Sequence, residues 1–177
     1  MKMLPTKEFD FQIYRLSDNF YNTYPKTQYI EILEKRTRPY NCIIFESSEE
    51  YFVCIPYRTD LNHKYAYYFQ NSQRCIQHKS GLDYTKMVII RDINFIDNGQ
   101  VVIDQDEYVE TVKNIDRIKD ESFNYLEDYK KHLKGELILH PSEFNRRYCY
   151  SPLKYFHNEL NIWCYIIGYV LTILIHK

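Results

Sequence analysis

The first hundred residues show the alternation of apolar and polar positions that is typical of β-strands. Phe9, Phe11 and Ile13 are separated by polar residues, which predicts a strand with one buried face. Two apolar runs, 40–45 and 51–56, flank a short polar segment and predict a β-hairpin. The series continues with runs at 64–69, 86–90 and 101–103, a turn at 97–99 and a candidate short helix at 28–35.

From residue 104 onward the apolar residues recur at spacings of three and four, the period of an amphipathic helix. The spacing predicts one helix over 108–118 and a second over 123–133, which Gly135 is expected to end. Two further short helices are predicted to begin near 141 and 152, where a proline occupies a first-turn position. Strands followed by helices predict an α+β fold, with a single domain over residues 1–161.

The composition is that of a globular protein, since 45% of the 177 residues are hydrophobic and 27% are charged. Only 4 glycines occur, and their wide spacing excludes the GxGxxG and Walker A nucleotide-binding loops. The 5 cysteines are scattered, and the first residues lack the pattern of a secretory signal, so a cytoplasmic location is expected. Neither CxxC, HExxH nor GxSxG is present, and no metal or cofactor is predicted.

The C-terminal end of the sequence is unusually apolar. Residues 162–175 carry no charge, whereas a helix that crosses a bilayer needs roughly 20 apolar residues. We therefore expect residues 162–177 to form a tail outside the domain. Its role is open between a last buried helix or strand and a membrane anchor.

Charge is distributed unevenly along the chain, although the formal net charge is only −1. Basic residues outnumber acidic residues between 58 and 91, and acidic residues predominate between 104 and 128. This asymmetry favours a molecule with one face suited to an anion. Two ordinary solvated faces are the alternative interpretation.

Two polar, basic segments, 55–64 and 77–86, each join a predicted strand to a loop. Their arginine, lysine, hydroxyl and histidine groups suit a phosphate ligand. RNA cleavage by its own 2′-hydroxyl requires a group that accepts the proton, a group that stabilises the phosphorane and a group that protonates the leaving 5′-oxygen. Solvated loop residues paired with nearby aspartates are the alternative. The candidate residues are Arg58, Thr59, Asp60, His63, Lys64, His78, Lys79, Ser80 and Lys86.

Several stretches of the sequence also carry a resemblance to a known family. They are YRLSDNFYNTY (14–24), RPYNCIIFE (38–46), YFVCIPYRTDLNHKYAYYF (51–69), HKSGLDYTKMVIIRD (78–92) and YCYSPLKYFHNEL (148–160). These stretches resemble the ToxN, AbiQ and TenpN group of type III toxin–antitoxin and phage-abortive systems, TenpN most of all. The resemblance implies a compact, twisted antiparallel sheet or partly open barrel, like that of the MazF and Kid toxins, flanked by C-terminal helices.

The resemblance further implies a metal-independent endoribonuclease. Its inhibitor would be a small pseudoknot RNA antitoxin, which the toxin processes from a repeat transcript and binds in a toxin–RNA hetero-oligomer. Cellular or phage RNA would be the substrate, and cleavage would leave a 2′,3′-cyclic phosphate.

Residue roles follow from the resemblance and from the chemistry of the two segments. Thr59 matches the family's serine or threonine that carries cleavage, whereas a lysine that is common two positions later is Leu61 here. We expect Arg58 and Lys64 to neutralise the phosphorane and His63 to act as the general acid. The expected RNA-binding residues are Tyr21, Lys35, Arg36, Arg38, Tyr40, His78, Lys79, Ser80 and Lys86.

Two other functions stay open on the sequence. A non-cleaving RNA-binding module, such as a degenerate toxin, is compatible with a threonine at position 59 and with Leu61. A membrane-associated interaction protein would use the apolar tail 162–177. Intact RNA after long incubation would favour the first, and altered fractionation on removal of the tail would favour the second.

Overall fold

The fold is built on one antiparallel sheet, with most of its helices following the last strand. The computed structural model describes residues 11–34, 41–97 and 99–162. The strands are β1 (Phe11–Leu16), β2 (Asn41–Glu46), β3 (Phe52–Arg58), β4 (Ala66–Tyr68), β5 (Gly81–Asp83), β6 (Val88–Ile90) and β7 (Ile96–Asp97). Their order across the 7-stranded sheet is β4-β5-β3-β2-β1-β7, with β6 paired to β3. Within the described ranges β4 and β7 do not pair with each other, so the sheet is open, and the α+β prediction is confirmed.

The predicted hairpin forms the centre of the sheet. Strands β2 and β3 pair antiparallel with Cys42 opposite Pro56 and Phe45 opposite Val53. Residues 42–45 and 53–56 are buried, which explains why these strands are continuous apolar runs rather than alternating ones. The core therefore lies on both faces of this hairpin.

Strand β3 carries two short partners along one edge, and this arrangement creates the candidate site. Its first half pairs with β6, and its end pairs with β5 through Tyr57 opposite Leu82 and Arg58 opposite Gly81. Between β5 and β6 lies the short 3₁₀ turn Tyr84–Lys86, hereafter the 84–86 turn. Polar side chains of this turn consequently face the end of β3.

Gly81 is required by the close approach of β4 and β5. A Cβ atom at this position would lie 2.1 Å from the carbonyl oxygen of Tyr67 and 3.0 Å from Cδ1 of Leu61. No side chain fits at that separation from a backbone atom. The glycine thus allows β5 to pair with β3 and β4 at once.

In the described ranges five helices accompany the sheet, and the longest of them packs against it. They are α1 (Asp18–Thr23), α2 (Gln73–His78), α3 (Gln105–Lys113), α4 (Ile115–Leu133) and α5 (Pro141–Tyr148), with further 3₁₀ turns at Ile93–Phe95 and Pro152–Tyr155. Helix α4 buries Ile118 and Leu126 completely, and its Phe123 ring lies 6.4 Å from that of Phe45. Gly135, with φ of 76°, follows the end of α4 as predicted.

The predicted starts near 141 and 152 are confirmed. Helix α5 begins at Pro141, and the hydroxyl of Ser151 accepts a hydrogen bond from the backbone N–H of Leu153 at the start of the 152–155 turn. The boundary between the two earlier helices differs from the prediction. It lies at Asn114, whose Nδ2 donates to the carbonyl of Glu110 at 2.8 Å and whose φ of −116° bends the chain.

Two local predictions are wrong. Residues 28–34 form turns, and the helix of this region is α1, which begins where the Ser17 hydroxyl accepts from the N–H of Phe20. Residues 101–103 are not a strand; on that side β1 pairs instead with the two-residue strand β7, with Arg15 opposite Asp97. Residue 98 of the predicted turn and residue 35 of the candidate helix lie outside the described residues.

Residues 163–177, which make up almost all of the predicted apolar tail, lie outside the described residues. Ile162, the last described residue, is completely buried. Among the described helices, none combines the length and the apolar character needed to cross a membrane.

Candidate functional site

The two basic segments of the sequence meet in space. The backbone N–H of Asp60 donates to the carbonyl of His78, and that of Leu61 donates to the carbonyl of Lys79 at 3.3 Å. The His78 imidazole also lies 3.4 Å from the Asp60 carboxylate, and both side chains are exposed. Loop 59–64 and loop 78–80 therefore form one continuous surface at the end of β3.

A buried carboxylate organises this surface. Asp83, the last residue of β5, is fully buried, and its Oδ2 accepts a hydrogen bond from Nη1 of Arg58. Its Oδ1 accepts from the backbone N–H of Thr85 at 2.9 Å and from the Thr85 hydroxyl at 2.6 Å, which starts the 84–86 turn. Burial raises the pKa of Asp83, but the contacts with His63, Thr85 and Arg58 outweigh it, so the pKa lies below its ordinary value. Asp83 is therefore ionised at neutral pH.

His63 faces the same carboxylate. Its Nε2 lies 3.3 Å from Oδ1 of Asp83, an ionic contact when the ring is protonated, although neither ring nitrogen makes an aligned hydrogen bond. The Tyr68 hydroxyl donates to the His63 carbonyl at 2.6 Å, and the Tyr65 ring stacks against the imidazole at 6.4 Å. Both nitrogens are shielded from solvent, so a bound RNA would reach them only after a shift of the loop.

Lys86 is the last residue of the 84–86 turn. Its amine donates to the carbonyl of Tyr150 and, at 3.4 Å, to the carbonyl of Glu31. Burial lowers the pKa of Lys86; the charge of Asp83 opposes this effect, and the charge of Arg58 adds to it. Lys86 thus belongs to the same electrostatic cluster, but its hydrogen bonds connect loops rather than leaving it wholly free for RNA.

Thr59 and Lys64 are the accessible members of the predicted catalytic set. Thr59 directly follows β3 and is half-buried, and its hydroxyl has no hydrogen-bond partner in the described residues. The Lys64 side chain is 75% exposed and lies 4.0 Å from Glu143 Oε1. Both groups are consequently positioned at the rim of the cluster, where a ligand can contact them.

Loop 78–80 is held in place by buried acids of α3. The Ser80 hydroxyl donates to Oε1 of Glu107 at 2.5 Å, and Ser80 is only 1% exposed. The Glu110 carboxylate accepts from the backbone N–H of Gln70 at 2.9 Å and of Asn71 at 3.1 Å. Ser80 therefore stabilises the loop and is not accessible to RNA, whereas Lys79 beside it is exposed.

Tyr21 is an unsuitable stacking platform in this conformation. Its hydroxyl is buried, and its ring contacts Phe20 edge-on with centroids 5.4 Å apart. Burial raises the pKa of the phenol, and the nearby Cys42 adds to the effect. The remaining predicted RNA-binding residues, Lys35, Arg36, Arg38 and Tyr40, lie outside the described residues.

Sequence reasoning missed the organising role of Asp83 and the contribution of α5. Asp83–Tyr84–Thr85 has the spacing of an aspartate that caps a turn, and this signal identifies the cap but not its arginine and histidine partners. Arg147 of α5 lies 5.5 Å from the centre of the Tyr65 ring, and Tyr65 donates to Glu143 at 2.8 Å. Helix α5 thereby supports the wall behind His63.

The arrangement offers an arginine and a histidine around one buried negative charge, with the Thr59 hydroxyl and the exposed Lys64 in the loop that follows β3. Such a set binds and polarises a phosphodiester. Among the described residues, no group of three or more histidine, cysteine, aspartate or glutamate side chains is arranged to hold a metal ion. Comparison with family models, curated proteins and solved structures yields no match, so function is inferred from this chain's own residues.

Proposed function

We propose that this protein is an endoribonuclease that cleaves RNA without a metal ion, through the 2′-hydroxyl of the substrate. The observation that carries the proposal is the buried Asp83 carboxylate, which binds Arg58 and faces His63 at the end of β3, where Thr59 follows Arg58 along the chain. A buried acid that binds an arginine at a strand end is a costly arrangement for stability alone, because the carboxylate charge must be removed from water. It is well suited to a site that stabilises a phosphorane.

In the proposed reaction the 2′-oxygen attacks the adjacent phosphorus as its proton passes to solvent, and the bond from phosphorus to the 5′-oxygen breaks. The products are a 2′,3′-cyclic phosphate and a 5′-hydroxyl, so no water is consumed. Arg58 retains N–H groups that Asp83 does not use, and these donate to the phosphate oxygens. Thr59 donates its unpaired hydroxyl to the same phosphate.

His63 is the proposed proton donor to the leaving 5′-oxygen. Its Nε2 lies 3.3 Å from Oδ1 of Asp83, an ionic contact when the ring is protonated. Since its ring nitrogens are shielded in the free protein, loop 59–64 shifts when RNA binds. Lys64, exposed at the rim, binds a neighbouring phosphate.

The proposal extends to the biological role of a toxin that a pseudoknot RNA antitoxin neutralises. Its support is the resemblance of residues 14–24, 38–46, 51–69, 78–92 and 148–160 to the type III toxins. The sheet is open and antiparallel, and its strand β3 pairs with two short strands, β6 and β5, along one edge. This arrangement is compatible with a MazF- or Kid-like fold. An exposed basic surface made by two loops is also what an RNA inhibitor would cover.

The test is RNA cleavage by the purified full chain in the presence of EDTA, with the product ends identified. Thr59→Val removes the hydroxyl at constant shape and should lower the rate by about 100-fold, the cost of one oxyanion donor. Thr59→Ser restores the hydroxyl and should retain most of the activity. Thr23→Val on exposed α1 is the matched control.

The same variants test toxicity through growth arrest on expression. Undiminished cleavage and toxicity in both Thr59→Val and Lys64→Ala would contradict the site assignment. Tight, salt-dependent RNA binding with intact RNA after long incubation would replace the proposal by a non-cleaving binding module. The observation that favours this second function is Leu61, which is buried at 2% exposure and offers no cation where the resembled toxins carry lysine.

A further inference from the structure

Tyr150 presents its aromatic ring to solvent in the short connection between α5 and the 152–155 turn. The residue is 73% exposed, and its side chain has no hydrogen-bond or ring partner in the described part of the chain. An exposed tyrosine ring leaves a large apolar face in water. Such a ring is the group on which proteins stack the unpaired bases of RNA.

One turn joins Tyr150 to the proposed catalytic cluster. The amine of Lys86 donates to the Tyr150 carbonyl, and Lys86 is the last residue of the turn that Asp83 caps. This hydrogen bond holds the connection that carries Tyr150 against the turn that begins at the Asp83 cap. The Tyr150 backbone and the proposed catalytic cluster are therefore joined through the 84–86 turn.

Cationic side chains accompany the ring. Lys154 is 42% exposed and binds the Glu31 carboxylate at 2.7 Å, and Glu31 also accepts from the Tyr155 hydroxyl. Arg146, at the end of α5, is 68% exposed and contacts Glu143 at 2.8 Å. The Arg146–Glu143 pair lies at the surface and is weak in water, so Arg146 remains available for a phosphate. Glu31, the partner of Lys154, is buried, and Lys154 would contact a phosphate through the N–H donors that Glu31 does not use.

We propose that Tyr150 is a base-stacking subsite for single-stranded RNA, with Lys154 and Arg146 contacting the flanking phosphates. The inference rests on the proposed function and specifies its substrate class. Bases inside a duplex are already stacked on their neighbours and do not reach an isolated ring. The protein should therefore select unpaired RNA over duplex RNA.

A tryptophan at position 150 reports on stacking directly. The chain contains a single tryptophan, at position 163, so the change in fluorescence between wild type and Tyr150→Trp belongs to the new residue. The probe is a single-stranded 2′-O-methyl RNA of about 12 nucleotides, within the length that one single-strand-binding domain covers. It lacks the attacking hydroxyl and stays intact. Quenching of the introduced indole by this probe, but not by its duplex, is the expected result.

Binding affinities of the same probe separate the contribution of the Tyr150 ring from that of its hydroxyl. Tyr150→Ala should raise the Kd about tenfold, within the range measured for one base–aromatic stack, whereas Tyr150→Phe should leave it nearly unchanged. Tyr108→Ala is the matched control, since Tyr108 is an exposed tyrosine of α3. Equal Kd values for wild type and Tyr150→Ala, or equal quenching by duplex and single strand, would overturn the inference.

The outcomes also separate this inference from the proposed function. Quenching in the Tyr150→Trp variant together with an absence of RNA cleavage by the wild type would reject the endoribonuclease and retain the subsite. Cleavage that depends on Thr59 together with an unchanged Kd for Tyr150→Ala would reject the subsite and retain the endoribonuclease. Failure of the wild type to bind the probe at all would reject both.

Discussion

The Nε2 atom of His63 and the Oδ1 atom of Asp83 lie 3.3 Å apart, although His63 precedes β4 and Asp83 ends β5. The contact exists because β5 pairs with both β3 and β4. It places an ionisable ring beside a fully buried carboxylate that also binds Arg58. One negative charge therefore binds Arg58 and faces the ring of His63.

Asp83→Asn removes the charge but retains an oxygen that caps the 84–86 turn. We expect RNA cleavage to fall by about 100-fold, because Arg58 and His63 lose the group that orients them. The Kd for uncleavable RNA should change far less, which separates positioning from binding. Asp92→Asn is the matched control, since Asp92 caps the 93–95 turn through Asn94 at 2.9 Å. Equal losses in the two variants would contradict this role.

Acid should destabilise the protein through Asp83 and Glu31. Burial raises the pKa of each carboxyl, but their hydrogen-bonded and charged partners outweigh it and lower the pKa in the folded state. Their stabilisation is therefore complete above the unfolded-chain value of about 4 and is lost as the pH falls from there through the folded pKa. Urea unfolding between neutral pH and about pH 3 measures this loss.

The matched comparison is the Asp83→Asn variant over the same pH interval. It should start from a lower free energy of unfolding, by about 2 kcal/mol for a lost charged hydrogen bond in a buried site. It should then lose less stability on acidification, because one of the two linked carboxyls is gone. If the free energy of unfolding falls by the same amount with pH in wild type and variant, protonation of Asp83 does not contribute to the acid sensitivity.

Lys64→Ala should weaken RNA binding without changing stability. The side chain is 75% exposed, and its contacts with Glu143 at 4.0 Å and with the Tyr65 ring at 5.3 Å lie at the surface, where such contacts contribute little to stability. One lost phosphate contact should reduce the slope of log K against log salt by about one unit. Lys131→Ala on the exposed face of α4 is the control. An unaltered salt dependence in Lys64→Ala would remove this residue from the RNA path.

Gly81→Ala should destabilise the sheet and the site together. The added Cβ would lie 2.1 Å from the Tyr67 carbonyl oxygen, so β4 and β5 must separate. We expect a loss of about 3 kcal/mol, at the upper end for an overpacked position. Gly135→Ala is the control, because its Cβ would contact nothing within 4 Å and only its φ of 76° is unfavourable, a cost of about 1–2 kcal/mol. Similar losses in thermal unfolding would contradict the close approach at Gly81.

Glu110→Gln should loosen the loop that leads to α2 and Lys79. The carboxylate accepts from the backbone N–H groups of Gln70 and Asn71, and a neutral amide is a weaker acceptor. Hydrogen exchange should become faster at these two amides, with little change in the central hairpin. Glu136→Gln, at an exposed position after α4, is the control. Unchanged exchange at both amides would contradict the anchoring role.

Local patterns sufficed where neighbours along the chain decide the structure. The β2–β3 hairpin, the C-terminal end of α4 and the start of α5 were predictable because apolar runs, Gly135 and Pro141 act within a few residues. The prediction for 101–103 was wrong because an apolar triplet has strand propensity whether or not it finds a partner, and on that side β1 pairs with β7 at Arg15 and Leu16.

Helix α3 is a second case in which local reasoning was insufficient. The spacing of Tyr108, Val112 and Ile115 suggested one apolar face, but Tyr108 is 38% exposed and the buried residues of α3 are Glu107, Glu110 and Thr111. Buried carboxylates are unfavourable unless donors reach them. Those donors are supplied by Ser80 and the 70–71 backbone, which are distant in sequence.

By itself, the sequence determined the α+β class, the central hairpin and the two basic segments, because period and residue type are local properties. Only the tertiary structure decided that these segments touch through Asp60 and His78, and that Asp83 meets Arg58, 25 residues away. The physical reason is strand pairing: β5 finds β3 and β4 only once Gly81 lets their backbones approach. The charge on Asp83 then becomes tolerable, because the same pairing brings Arg58 and His63 to it.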